Sequence, residues 1–198
     1  LSQFYCEMDA DKTKVLLFIS RHEIDTCINA INSNWESLSN GEKVSESAEK
    51  TTLEMIRKSE TSADIALFGR MLANKPDLNT DGSCQVAHPI STHKVDMEMD
   101  FYTAVDDLNP EEETGAGMMG VVSFNSACYY RYALVDRDQL ARNISRKTER
   151  KNGQWTEELV DKDYQEADTI IRAFIEAMVY AIPSGKQNSF AAQNLPSF

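Results

Sequence analysis

The chain is poor in positive charge: 20 Lys and Arg stand against 32 Asp and Glu in 198 residues, for a formal net charge of −12. Phosphate binding normally needs a basic face or stripe, so this balance excludes a generally basic nucleic-acid binder and makes the location of the few cations important. Cysteine is also scarce. Cys6, Cys27, Cys84 and Cys128 are far apart with no CxxC pair, which argues against a zinc ribbon or a disulfide framework and fits reduced thiols in a cytoplasm. No apolar run approaches bilayer length, the longest covering residues 15–19, and the first residues show no signal-peptide pattern. A cytoplasmic chain with no membrane partner is expected. P-loop, GxSxG and Cys-His nucleophile strings are missing, and the acids of 106–113 lack the helical spacing that would converge two carboxylates.

What is present is 41% hydrophobic residues, enough for one core or a core with an appended lobe. Residues 14–19 read as a short buried strand or the start of a helix. Ser20 followed by Glu23 is a capping-box pattern, and Ile24, Cys27, Ile28, Ile31, Trp35 and Leu38 follow at helical spacing up to Asn40-Gly41. A second helix is expected over 46–59, with Ala48, Thr52, Met55 and Ile56 inward. The period then changes: Ile65 and Leu67 alternate with Ala66 and Phe68, as in a strand covered on both faces.

From Val95 to Phe101 the alternation is clean, with Val95, Met97, Met99 and Phe101 on one side and Asp96, Glu98 and Asp100 on the other, which predicts a half-exposed strand. Residues 108–120 hold Asn-Pro, three glutamates and three glycines, and read as a mobile loop. A tyrosine-rich strand is expected over 121–135. Residues 156–182 form the clearest helix, with Ala167, Ile170, Ile171, Phe174, Ile175, Met178, Val179 and Ile182 at three-to-four spacing, stopped by Pro183, Ser184 and Gly185. Strands around a one-sided helix suit an α+β fold. The stretch RNISRKTERK (142–151) has five basic residues and one acid, and reads as a solvated loop or helix end.

The strings ADIALFGRM (63–71), AHPI (87–90), THKVDMEMDFYTAVDDL (92–108), FNSACYYRYALV (124–135) and IPSGKQNSFAAQN (182–194) are required by no general folding constraint. Together they resemble the CasC family, the backbone subunit of the type I-E CRISPR surveillance complex, Cascade. The resemblance is close over 63–135 and loose over 170–194. It implies a modified RNA-recognition-motif (ferredoxin-like) palm with a helical lobe and a projecting β-hairpin thumb. The corresponding segments are a helical lobe at 1–62, palm and web at 63–92, thumb at 93–123 and palm at 124–198. Family members begin with a basic segment that nothing here matches. The chain starts at Leu1 and stops just after Pro196, so a fragment lacking that segment and a C-terminal part is expected.

The resemblance also implies site residues. Taken alone, Met71 is core filler and Arg70 a surface charge. In the family, the methionine at this place wedges against the guide, and Arg70 and Met71 are expected side by side at a sheet edge. Met119 matches an apolar thumb residue with the partnering role, with Met118 open as the alternative. Such wedges cover a base face without demanding a particular base. Phe101, Tyr102 and Thr103 lie in the strongest block; Tyr102 is favoured as the outward ring for base stacking, with Phe101 taking its place if a bulge intervenes. Lys186 and Gln187, after a helix stop and a glycine, are read as phosphate contacts. His88, His93 and Asp96 carry metal-ligand groups, but the odd spacing of the histidines on a strand points them apart, so no metal and no cofactor is expected.

The function so implied is a non-catalytic guide-RNA scaffold whose partners are CRISPR RNA, target DNA, other copies of itself and other Cascade subunits. Base pairing would read the sequence. Two other classes stay open: a metal-dependent CRISPR ribonuclease subunit, with Asp96, Asp106 and Asp107 as its candidates, and an acidic α+β interaction domain.

Overall fold

The computed structural model describes residues 8–9, 12–59, 61–105 and 116–185. The chain divides into two compact units, one of Leu1–Gln85 with Leu134–Phe198 and the other of Val86–Ala133. The segment expected as helical lobe (1–62) thus shares a unit with residues 134–198 of the segment expected as palm (124–198).

The first unit opens with β1 (Met8–Asp9) and β2 (Lys12–Thr13), then α1 (Arg21–Ser33), α2 (Trp35–Ser39) and α3 (Glu46–Lys58). The capping box forms as the sequence predicts: Glu23 N–H donates to Ser20 Oγ at 3.1 Å and Ser20 N–H donates to Glu23 Oε2 at 2.8 Å. Cys27 of α1 and Ile56 of α3 pack with Leu72 and Leu78, flanked by half-buried Leu17, Ile19, Ala30 and Leu53. Ile24, Ile28, Trp35 and Met55, expected inward, are exposed. Residues 14–19 belong to no helix or strand: only Leu17 and Ile19 pack on this core, while Val15, Leu16 and Phe18 face outward.

Ala63–Phe68 is a helix, α4, and not the expected strand. Ala66 N–H donates to Ser62 O and Gly69 N–H to Ile65 O, both at 2.9 Å, and Ile65, Ala66 and Leu67 are all buried. Three consecutive buried positions carry no period, so the pattern could not separate a short helix from a covered strand. A 3₁₀ turn follows at Pro76–Leu78, then β3 (Cys84–Val86).

The second unit contains β4 (Ile90–Ser91), β5 (Glu98–Val105), β6 (Ala116–Phe124) and β7 (Tyr129–Tyr130). β5 and β6 form an antiparallel ribbon from Glu98↔Phe124 to Val105↔Ala116, with a register shift between Ala104 and Val105. At about 3.3 Å per residue, β5 extends roughly 26 Å. Residues 116–120, expected within a loop, belong to β6, because ladder pairing with β5 outweighs their glycines; the rest of that loop lies outside the described residues.

The chain continues with β8 (Ala133–Val135), α5 (Arg137–Ser145), β9 (Arg150–Lys151), β10 (Gln154–Trp155) and α6 (Asp161–Tyr180). Ala66 and Leu67 of α4, Leu140 and Ala141 of α5 and Ala167 of α6 make a second core, with Ile170, Ile171 and Phe174 packed against it. Ile175, expected inward, is exposed. α6 starts after the expected Thr156, where Asp163 accepts from Val160 N–H at 2.9 Å and pairs with Lys147 at 2.6 Å.

Burial pulls the Asp163 carboxyl upward, but the bonds from Lys147 and Val160 and the nearby positive charge outweigh it and leave it below its ordinary value. A carboxyl depressed on folding contributes stability above its unfolded pKa of about 3.9, lost as pH falls through the folded value. Asp163→Asn should therefore lower the melting temperature at neutral pH, with the gap to the parent closing as pH falls below about 4. Thermal melts across that range check it; a gap independent of pH would refute the assignment.

Among the described residues every ladder has two strands: β1–β2, β3–β8, β4–β7, β5–β6 and β9–β10. No ladder among these residues is wider than two strands. Helices mixed with small antiparallel ladders make the observed class α+β.

Candidate functional site

Gly69 ends α4 with φ 77° and ψ 173°, a conformation nearly confined to glycine. The chain then turns so that Arg70 bridges Thr80 by two backbone bonds of 2.9 Å, while Leu72 N–H donates to Asn79 Oδ1 at 2.5 Å. Arg70 points inward. Its Nη1 donates to Glu23 Oε2 at 2.8 Å and to Phe18 O at 3.2 Å, and its Nε and Nη2 both donate to Leu78 O. Both charged side chains are 2% exposed. The expectation of Arg70 as an edge charge beside Met71 is thereby corrected: ion pairing with a carboxylate 47 residues earlier draws it under the surface.

Met71 is 83% exposed, between Arg70 at 6% and Leu72 at 4%. An apolar side chain in water is thus held on a backbone fixed from both sides. Truncating it removes almost no packing, so Met71→Ala should change unfolding stability by no more than about 0.5 kcal/mol. A urea-measured loss on the order of 2–5 kcal/mol would mark it as core.

In the second unit, ladder partners share a face, so Met99 and Phe101 lie with Ser123 and Val121, and Asp100 and Tyr102 lie with Val122 and Gly120. Among the described residues neither face is covered within this unit: Met99 is 76% exposed, Phe101 62% and Tyr102 40%. The expected half-exposed strand starts later than Val95, at Glu98, and its apolar side is open. Tyr102 lies over Gly120, where an added Cβ would fall 2.6 Å from ring carbon Cζ. Tyr102 is therefore the better fixed of the two rings, and both are accessible. Thr103 is exposed opposite Met119 in the register. Of the Met118 and Met119 alternatives only the backbone places are given, opposite Ala104 and Thr103. Lys186 and Gln187 lie outside the described residues.

Of the two expectations for the basic stretch, solvated loop or helix end, its first part is a helix end. Asp136 caps α5, Arg142 lies in its last turn, and Arg146 ends it in the left-handed region at φ 60°. Asn152 (φ 52°) and Gly153 (φ 80°) then make the tight β9–β10 turn. Arg150 and Trp155 are ladder partners, and the guanidinium carbons of Arg150 and Arg142 lie 3.7 and 4.2 Å from the Trp155 ring centre. Each such contact is worth about 0.5–1 kcal/mol at an exposed site. The Asn-Gly pair before Trp155 was the signal for this feature.

Among the described residues no three His, Cys, Asp or Glu side chains gather as a metal site would need, and none of the helices is long and apolar enough to cross a membrane. Cys84 and Cys128 are free thiols.

The family model described as CT1975-like protein, Cas_CT1975, matches residues 2–198. A chain of a CRISPR RNA-guided surveillance complex, pre-nicking, is similar at 30% identity with a TM-score of 0.70, over 98% of this chain and 49% of that one. A chain of a further CRISPR RNA-guided surveillance complex is similar at 38% identity with a TM-score of 0.51, over 68% of this chain and 45% of that one. This chain thus spans about half the length of the chains it resembles. No curated protein matches it. With a family match along nearly its whole length, the chain belongs to the CT1975-like family of Cas proteins.

Proposed function

We propose that this chain belongs to a non-catalytic guide-RNA-binding backbone subunit of a Cascade-type CRISPR surveillance complex, of the CasC kind, whose copies line CRISPR RNA and support target DNA pairing in antiviral defence. The similarity to chains of RNA-guided surveillance complexes supports the general role. The observation that carries the finer reading is Met71, largely presented to solvent on a backbone locked by its buried neighbours. A flexible apolar wedge in that position can cover a base of any identity. Arg70 is then a positioning residue, and Tyr102 and Thr103 on the open ribbon, with Met119 in the same ladder, are the thumb contacts. Lys186 and Gln187 complete the proposed set as phosphate contacts. The RNA-recognition-motif palm and the assembly of neighbouring copies belong to the same proposal.

The test uses the complete subunit assembled on CRISPR RNA. The expected outcome is protection of the guide from nucleases, broken at regular intervals, and no cutting of guide-paired RNA or DNA with magnesium or manganese. Metal-dependent cleavage lost on changing Asp96, Asp106 or Asp107 to Asn would replace the scaffold with a nuclease.

A further inference from the structure

A polar cavity of about 280 Å³ lies in the first unit, where the segment after the 3₁₀ turn meets α5 and the β9–β10 hairpin. One water takes about 30 Å³ of the liquid, so the space holds a small ion with part of its hydration. Its wall includes Thr80, Asp81, Gln139, Arg146, Arg150 and Trp155. Two guanidiniums face one carboxylate, a local excess of positive charge in a chain of net charge −12.

Three features mark this wall as unfinished. Arg146 is half-buried, and its only hydrogen bond among the described residues runs from Nε to Ser59 O at 2.9 Å, so its terminal nitrogens lack an acceptor there. Burial lowers its pKa, Glu23 raises it and Arg70 lowers it, so the cation is desolvated without a carboxylate of its own. Arg150 is held by stacking on Trp155, which leaves the in-plane donors of its guanidinium unused among the described residues. Thr80 Oγ1 is buried and has no hydrogen-bond partner among the described residues. Arg142, by contrast, is engaged with the carbonyls of Lys147 and Glu157 and serves the structure.

We infer that this cavity binds a phosphate oxyanion through Arg146 and Arg150, with the Thr80 hydroxyl and the second N–H of the Gln139 amide, whose first donates to Asn143 Oδ1 at 2.9 Å, as neutral donors and Trp155 as the wall that aligns Arg150. Charge-assisted bonds from a planar guanidinium are the strongest available to an oxyanion, and a preset plane directs them. The ligand is either free phosphate or a phosphodiester of a nucleic-acid backbone. The inference stands on the cavity and not on the guide-RNA reading.

Trp155 reports on the site. The chain has two tryptophans, and Trp35 is exposed on α2, so Trp35→Phe leaves Trp155 as the single tryptophan, which excitation at the red edge selects over the tyrosines. Inorganic phosphate should change its emission saturably, where chloride at equal ionic strength does not. Arg150→Gln and Arg146→Gln should each weaken the apparent affinity about tenfold or more. If Arg146→Gln loses its helical circular dichroism, because the bond to Ser59 is gone, Arg150→Gln decides, since its side chain sits on an exposed strand. A short single-stranded oligonucleotide is the second arm. A response to it alone, dependent on Arg150, assigns the ligand as a phosphodiester; a response to inorganic phosphate assigns free phosphate as sufficient. No saturable response in either arm, or an unchanged response in Arg150→Gln, overturns the site.

Discussion

Glu23→Ala should lower unfolding stability by about 3–5 kcal/mol, the range for removing one member of a buried ion pair. The substitution leaves the Arg70 guanidinium under the surface with only the carbonyls of Leu78 and Phe18 as acceptors. It also removes the carboxylate half of the α1 capping box, since the same Oε2 accepts from Ser20 N–H. Attraction between the partners is not the whole of that loss. Taking both charges out of water was expensive to begin with, and Glu23 Oε1 has no hydrogen-bond partner among the described residues. The double change Glu23→Met with Arg70→Met should therefore recover much of what Glu23→Ala loses. Urea unfolding of the three proteins measures this. A loss below about 1 kcal/mol for Glu23→Ala, the range of exposed pairs, would show that the pair is solvated.

Gly69→Ala should be the next most damaging change. A backbone at φ 77° and ψ 173° costs a residue with a Cβ about 1–3 kcal/mol. The added Cβ would also stand 2.7 Å from Gly82 N and 2.8 Å from Thr80 O, which are backbone atoms with little freedom to retreat. Relief has to come from moving the segment that carries Arg70, Met71 and Leu72. Stability and the function assigned to Met71 should fall together, unlike the outcome for Met71→Ala. Unchanged urea unfolding in Gly69→Ala would mean that this turn is not held as described.

The parts of the fold governed by nearby residues were legible in the sequence. The capping box of Ser20 and Glu23, the α3 helix and the apolar stripe of α6 rest on bonds and spacings within a few residues, and each appears. The β5–β6 ribbon was legible from the alternation of Met97, Met99 and Phe101, although no described residue of its unit supplies the expected cover on one face. The burial of Arg70 was not legible, since its partner lies 47 residues away and Glu23 already had a local reason to be where it is. α4 was misread because Ile65, Ala66 and Leu67 are buried on every side, which erases the period that separates helix from strand. The role of Trp155 was not legible, since the charge run before it suggests only solvation. Of the candidate site, the exposure of Met71 was foreseen from resemblance, and its mounting between two buried residues could be seen only in the structure.

The most direct measurement of the central claim is target DNA binding by the complete subunit carrying Met71→Asp, assembled with other Cascade subunits on CRISPR RNA. An exposed wedge can accept a charge without disturbing the fold, but a carboxylate placed against phosphates and base faces repels the nucleic acid. The expected result is a melting temperature equal to that of the parent, together with guide packing or target affinity reduced about tenfold or more. Parental guide packing and target affinity in a correctly assembled Met71→Asp complex would contradict it.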